Sequence, residues 1–178
     1  MTLSDVIERA GNIIGLEGEP TSYPTSAYNK LKDSAVTVYT ELITEHVPLR
    51  TKETVSVSNG KIFYEDLGKK VREILKISTG AGRLKFTVYP EYIETECGYS
   101  GDAEIEYLYY YVPCLPTDEM LLPPQYTEYI LAVGTAAEYF YRSSLIDEAM
   151  FFRNRFESAV NNLSRTKRVF DLPYRRLI

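Results

Sequence analysis

Residues 104–113 read Glu-Ile-Glu-Tyr-Leu-Tyr-Tyr-Tyr-Val-Pro. Ile105, Tyr107, Tyr109 and Tyr111 alternate with Leu108, Tyr110 and Val112, the period-two pattern of a strand. Both alternating sets are apolar, which predicts a strand covered on both faces. Pro113 stops it. The chain upstream keeps the same period. Val55 and Val57 alternate with Thr54, Ser56 and Ser58, and Asn59-Gly60 follows, a dipeptide suited to a two-residue hairpin because both positions need positive φ. Ile62 and Tyr64 resume the alternation. Val71–Ser78 fits either period: Val71, Ile74 and Leu75 have helical spacing, but the position before Gly80-Ala-Gly82 favours a strand. Leu84, Phe86 and Val88 then share one face of a further strand. The expected β region is an antiparallel meander of about five strands over residues 52–112.

On either side the period becomes helical. Val6, Ala10, Ile13 and Ile14 predict a short helix over 3–14, capped by Thr2 or Ser4 and broken by Gly15 and Gly18. Tyr28, Leu31, Ala35, Val38, Tyr39, Leu42 and His46 predict a longer helix over 25–46, ended by Pro48. Beyond Pro113, Pro116, Pro123 and Pro124, helices are predicted over 124–142 and 145–165. The short Arg142-Ser143-Ser144 connection makes that pair antiparallel. The expected fold is α+β. Residues 1–48 and 113–165 form a four-helix bundle, residues 49–112 an inserted β domain, and residues 166–178 an extended tail.

Composition narrows the function. With 178 residues, 44% of them hydrophobic and 25% charged, the chain can bury a core. Its longest apolar runs are too short to span a membrane, and no secretion signal is evident. Two cysteines make no disulfide framework, which predicts a reducing compartment. His46 is the single histidine and lies on the apolar stripe of a predicted helix, where a structural role is expected. It leaves no base for a nucleophilic triad and no histidine–cysteine set for zinc. Neither a Walker nor a Gly-x-Gly-x-x-Gly pattern occurs, and no cofactor is expected. Glu94 with Glu96, and Glu104 with Glu106, read as solvent-facing rows rather than an acid/base pair. The expectation is a protein that is not an enzyme.

Two features point to assembly. Sixteen residues are tyrosine, a side chain enriched where a surface is dry at one end and wet at the other. Charge is also divided. From Arg153 onward seven basic side chains face only Glu157 and Asp171, whereas the first 152 residues carry 13 basic and 23 acidic ones. An acidic body with a basic tail predicts docking through the tail. Arg165, Lys167, Arg168, Arg175 and Arg176 would supply charge there, with Phe170, Leu172, Tyr174 and Ile178 as apolar anchors. Tyr107, Leu108, Tyr109, Tyr110 and Tyr111 form the candidate subunit-interface strand.

The tyrosine strand ending in Pro113, the linker with Pro123-Pro124, and the runs Tyr126–Phe140 and Asp147–Glu157 come in a characteristic order. So do the short helix ending Ile13-Ile-Gly-Leu16, the loop, and the long helix ending near His46. This order resembles the head–tail adaptor (connector) proteins of short-tailed phages, the tail tubular protein A type. The resemblance covers most of the chain, through patterns rather than an invariant signature. It implies a virion structural protein of the neck and tail, present in the host cytoplasm during assembly. It implies a self-assembled ring of about twelve copies beneath the portal protein. Such a ring extends the DNA channel, lets DNA pass without sequence-specific binding, and gives tail or nozzle proteins a platform. No membrane partner is implied. The family carries no fixed catalytic or ligand residues. The short linkers and turns of this chain depart from the pattern where a long tail-gripping loop would lie. The competing expectation is a soluble, non-enzymatic protein-binding module that uses the tyrosine-rich sheet.

Overall fold

The computed structural model describes residues 1–166. The chain forms two compact units. One holds Met1–His46 and the chain from Pro113, and the other holds Val47–Val112.

The first unit is helical. Helix α1 (Leu3–Ile13) starts at a capping box: Asp5 N–H donates to Thr2 Oγ1 at 3.2 Å, and Thr2 N–H donates to Asp5 Oδ2 at 2.7 Å. Leu3, Val6, Ile7 and Ala10 form its buried stripe. The segment after Pro113 clamps its start, with Leu3 N–H donating to Asp118 O and Met120 N–H to Met1 O, both at 3.0 Å. Helix α2 (Thr25–Glu41) buries Leu31, Ser34, Ala35, Val38 and Tyr39, and continues as a π-helical turn over Leu42–His46. Helix α3 (Glu128–Arg142) and helix α4 (Ile146–Thr166) follow, joined by the predicted short turn. Pro123–Tyr126 forms a turn ahead of α3, so that helix begins later than its apolar pattern suggested.

The expected four-helix bundle is not formed. In such a bundle each helix buries one stripe toward a shared axis. Here Leu131–Ala137 of α3 are buried at seven consecutive positions, so α3 is covered all round. It is the centre on which α1, α2 and α4 each pack. Gly134 makes this possible. A Cβ there would lie 2.8 Å from both Val38 Cγ1 of α2 and Phe156 Cδ2 of α4. Arg153 of α4 ties α2 in as well, with Nη1 2.8 Å from Glu41 Oε2 and Nε 2.7 Å from Glu157 Oε1. These partners hold the Arg153 guanidinium charged well above its ordinary range, despite the opposing effect of burial.

The second unit contains seven strands: β1 (Arg50–Val57), β2 (Lys61–Phe63), β3 (Val71–Thr79), β4 (Gly82–Leu84), β5 (Phe86–Val88), β6 (Tyr92–Thr95) and β7 (Gly101–Tyr109). They form two antiparallel sheets rather than one five-strand meander. One has the order β1-β7-β3-β4, the other β2-β6-β5. Val55, Val57, Ile74, Ile77, Ala103, Ile105 and Tyr107 of the larger sheet bury against Ile62 and Ile93 of the smaller one. Each fully buried aliphatic side chain contributes about 1.5–3 kcal/mol relative to exposure.

Local turn chemistry explains the departure from a meander. Asn59 (φ 52°) and Gly60 (φ 76°) do form the predicted tight turn, yet the strands it joins pass into different sheets. Gly60 fits because its backbone lies against the 95–99 turn: a Cβ would come within 2.9 Å of Gly98 Cα, and Gly60 N–H donates to Tyr99 O at 2.8 Å. The Leu84–Val88 alternation likewise crosses between sheets at Lys85. Residues 71–79 are a strand, with register shifts at 71–73 and 74–76 that fit their mixed pattern.

Candidate functional site

Strand β7 lies between β1 and β3, which fixes what its tyrosines can do. Its inner face carries Ala103, Ile105 and Tyr107, and its outer face Glu104, Glu106 and Leu108, so one face is buried within the chain rather than two. Tyr107 is fully buried in the β core. Burial, reinforced by the nearby Glu53 carboxylate, pushes its hydroxyl up to about 12. Of the expected interface residues it is therefore the one spent on packing. Leu108 and Tyr109 are half-buried, and the Lys69 ammonium sits 4.1 Å from the Tyr109 ring centroid. The strand ends at Tyr109. Tyr110 (exposed) and Tyr111 (half-buried) belong to the connection toward Pro113.

The expected docking tail falls elsewhere. Arg165 is in the last turn of α4. Lys167, Arg168, Phe170, Leu172, Tyr174, Arg175, Arg176 and Ile178 lie outside the described residues.

Three of the four residues of the acidic rows meet cations, Glu104 and Glu106 across the β1–β7 pairing and Glu96 from the turn after β6. Glu104 pairs with Lys52 at 3.4 Å, Glu106 with Arg50 at 3.1 Å and Glu96 with Lys85 at 3.5 Å. Glu94 lies beside Tyr89 and raises the affinity of that phenol for its proton. His46 lines a niche of about 220 Å³ with Glu41, Glu45, Arg153 and Phe156. Among the described residues no group of three or more His, Cys, Asp or Glu side chains is placed to hold a metal ion. Nor is any helix among them long and apolar enough to cross a membrane.

The structure draws attention instead to the corner between α3 and α4. Phe151 is 62% exposed, Ile146 and Met150 are each 51% exposed, and Tyr141 and Leu145 are exposed beside them in sequence. Ile146 and Met150 stand one turn apart on α4. Phe151 packs edge-on against Phe152 at 5.2 Å between ring centroids, and Phe152 stacks on Phe140 of α3 at 5.6 Å. An aromatic row thus runs from the helix pair to its surface. The signal in the sequence is Met150-Phe151-Phe152, three adjacent large apolar residues, more than one helix stripe can bury. No family model matches the chain, and no curated protein matches it either.

Proposed function

We propose that the chain is a head–tail adaptor: a non-enzymatic structural subunit of a ring beneath a phage portal. In this reading the ring extends the DNA channel and carries the tail. The observation that supports it best is the exposed corner formed by Tyr141, Leu145, Ile146, Met150 and Phe151. Five large apolar side chains left exposed within eleven residues around one helix corner suit a place where another protein sits. Rings need a side-to-side interface joining two different patches of neighbouring copies, and this corner supplies one such patch. The order of elements is consistent with the resemblance: a short helix, a long helix, a β unit closing on a tyrosine strand, then an antiparallel helix pair. The net charge of −5 suits a channel wall that must release DNA rather than hold it.

The test is incorporation into particles. Phe151→Asp and Met150→Asp place a charge on the exposed corner; of the aromatic contacts described, only the edge contact of Phe151 on Phe152 is given up. In a phage deprived of its own copy, either variant is expected to leave DNA-filled heads without tails, while the purified variant keeps its helical circular dichroism. Normal tailed particles carrying both variants would refute the assignment of this corner, and with it the observation on which the reading rests.

A further inference from the structure

The β unit carries a second surface, which the ring reading does not use. An open hollow of about 690 Å³ is lined by Tyr64, Lys69, Lys70, Val71, Val88 and Tyr89. Its walls are held in place: Tyr64 donates its hydroxyl hydrogen to Tyr89 O at 3.0 Å, and the Tyr89 ring stacks on Tyr92 at 4.9 Å.

The hollow lies where β3 has an open side. Strand β7 flanks β3 from Val71 to Ser78, but β4 covers only Ile77–Thr79 on the other edge. Tyr110 N–H donates to Lys70 O at 2.9 Å, which makes Val71 and Tyr109 a non-hydrogen-bonded antiparallel pair. In such a pair each residue's own N–H and C=O point away from the partner strand. Val71 therefore presents a backbone donor and acceptor on the side away from β7. Sheet edges of this kind accept an added strand from another chain.

Charge selects the occupant. In an acidic protein this rim is basic: Lys69 and Lys70 are both exposed and adjacent, opposed in the lining by Glu65. A segment rich in carboxylates is attracted there. A basic one, such as the Arg175-Arg176 end of a second copy, is repelled.

We propose that this hollow binds an extended acidic segment of a partner protein, added as a short strand along the outer edge of β3 at Val71. Its apolar side chains rest on Tyr64, Val88 and Tyr89, and its carboxylates meet Lys69 and Lys70. The proposal stands whether or not the chain forms a ring.

The probe is the capped peptide acetyl-Asp-Val-Asp-Tyr-Asp-Val-amide, titrated into the full-length, isotope-labelled chain. Alternation puts its carboxylates on one face and its apolar groups on the other. The expected result is a saturable shift of the Val71 amide resonance with slowed hydrogen exchange at that amide. Lys69→Gln combined with Lys70→Gln weakens binding roughly tenfold while leaving the fold intact. The same peptide with lysine in place of aspartate leaves Val71 unmoved. Three results would overturn the proposal: no saturable shift at Val71, equal binding of the lysine peptide, or protection of Val71 by raised protein concentration alone. The last would make a second copy the occupant.

Discussion

Replacing Gly134 by alanine tests the packing of the helical unit by the sign of its effect. Alanine is the better helix former, so Gly→Ala in an unconstrained helix interior stabilises by about 1 kcal/mol. At Gly134 the new Cβ would lie 2.8 Å from Val38 Cγ1 and 2.8 Å from Phe156 Cδ2. Val38 is 2% and Phe156 1% exposed, so neither side chain can swing out to solvent. Overpacking of this kind costs about 1–3 kcal/mol, which exceeds or cancels the propensity gain. The expected net loss is about 1 kcal/mol, seen as a fall of roughly 2–4 °C in Tm when unfolding is followed by circular dichroism at 222 nm. Val38→Ala makes room, so Gly134→Ala should cost less in that background than in the wild type. A rise in Tm for the single variant would show that α3 is not gripped between α2 and α4, and the central-helix description would fail.

Arg153→Ala removes the link from α4 to Glu41 and should lower stability by about 1–2 kcal/mol in denaturant unfolding, less in high salt. Asp118 accepts backbone hydrogen bonds from Leu115 and Cys114, both at 2.8 Å, and they hold its carboxyl below the ordinary value of 3.8. A depressed carboxylate stabilises the fold above its unfolded value and loses that contribution as pH falls through the folded one. Asp118→Asn should therefore be less stable than wild type at neutral pH, and the gap should close below pH 3.8. Tyr107 has the opposite sign. Its hydroxyl rises from 10.0 to about 12, so its contribution is full below pH 10 and lost as pH climbs toward 12. Tyr107→Phe should shift alkaline unfolding of the β unit to higher pH, read by loss of β circular dichroism.

The helices were legible because their apolar spacing and caps are local. A cap at Thr2 or Ser4 and the Arg142-Ser143-Ser144 turn announce α1 and the α3–α4 corner directly; that Asp5 completes the cap with Thr2 is seen in the structure. How the helices pack was not legible from spacing alone. The decisive residue is Gly134, whose missing side chain lets two helices close on a third, and a single glycine in an apolar run has no distinctive period. The strands were legible one at a time, but their partners were not. Asn59-Gly60 specifies a turn and says nothing of whether the strands beyond it stay paired. The pairing of β1 with β7 joins residues about fifty positions apart, a non-local choice fixed by burial of Val55, Ile105 and Tyr107. The same burial decides the tyrosine strand: alternation revealed its two faces, but only the second sheet shows that Tyr107 is interior. The exposed corner at Met150-Phe151 was present in the sequence as excess apolar residues, more than the one inward stripe of that helix takes up.

If the chain is the proposed adaptor it belongs to the neck of a phage particle, so the most direct measurement is its copy number in purified particles, relative to the portal protein, by quantitative mass spectrometry. An adaptor ring requires roughly one copy per portal subunit. Absence from the particle would contradict the account and favour a soluble binding module, and a large excess over the portal would contradict it in favour of a capsid or tail-tube subunit.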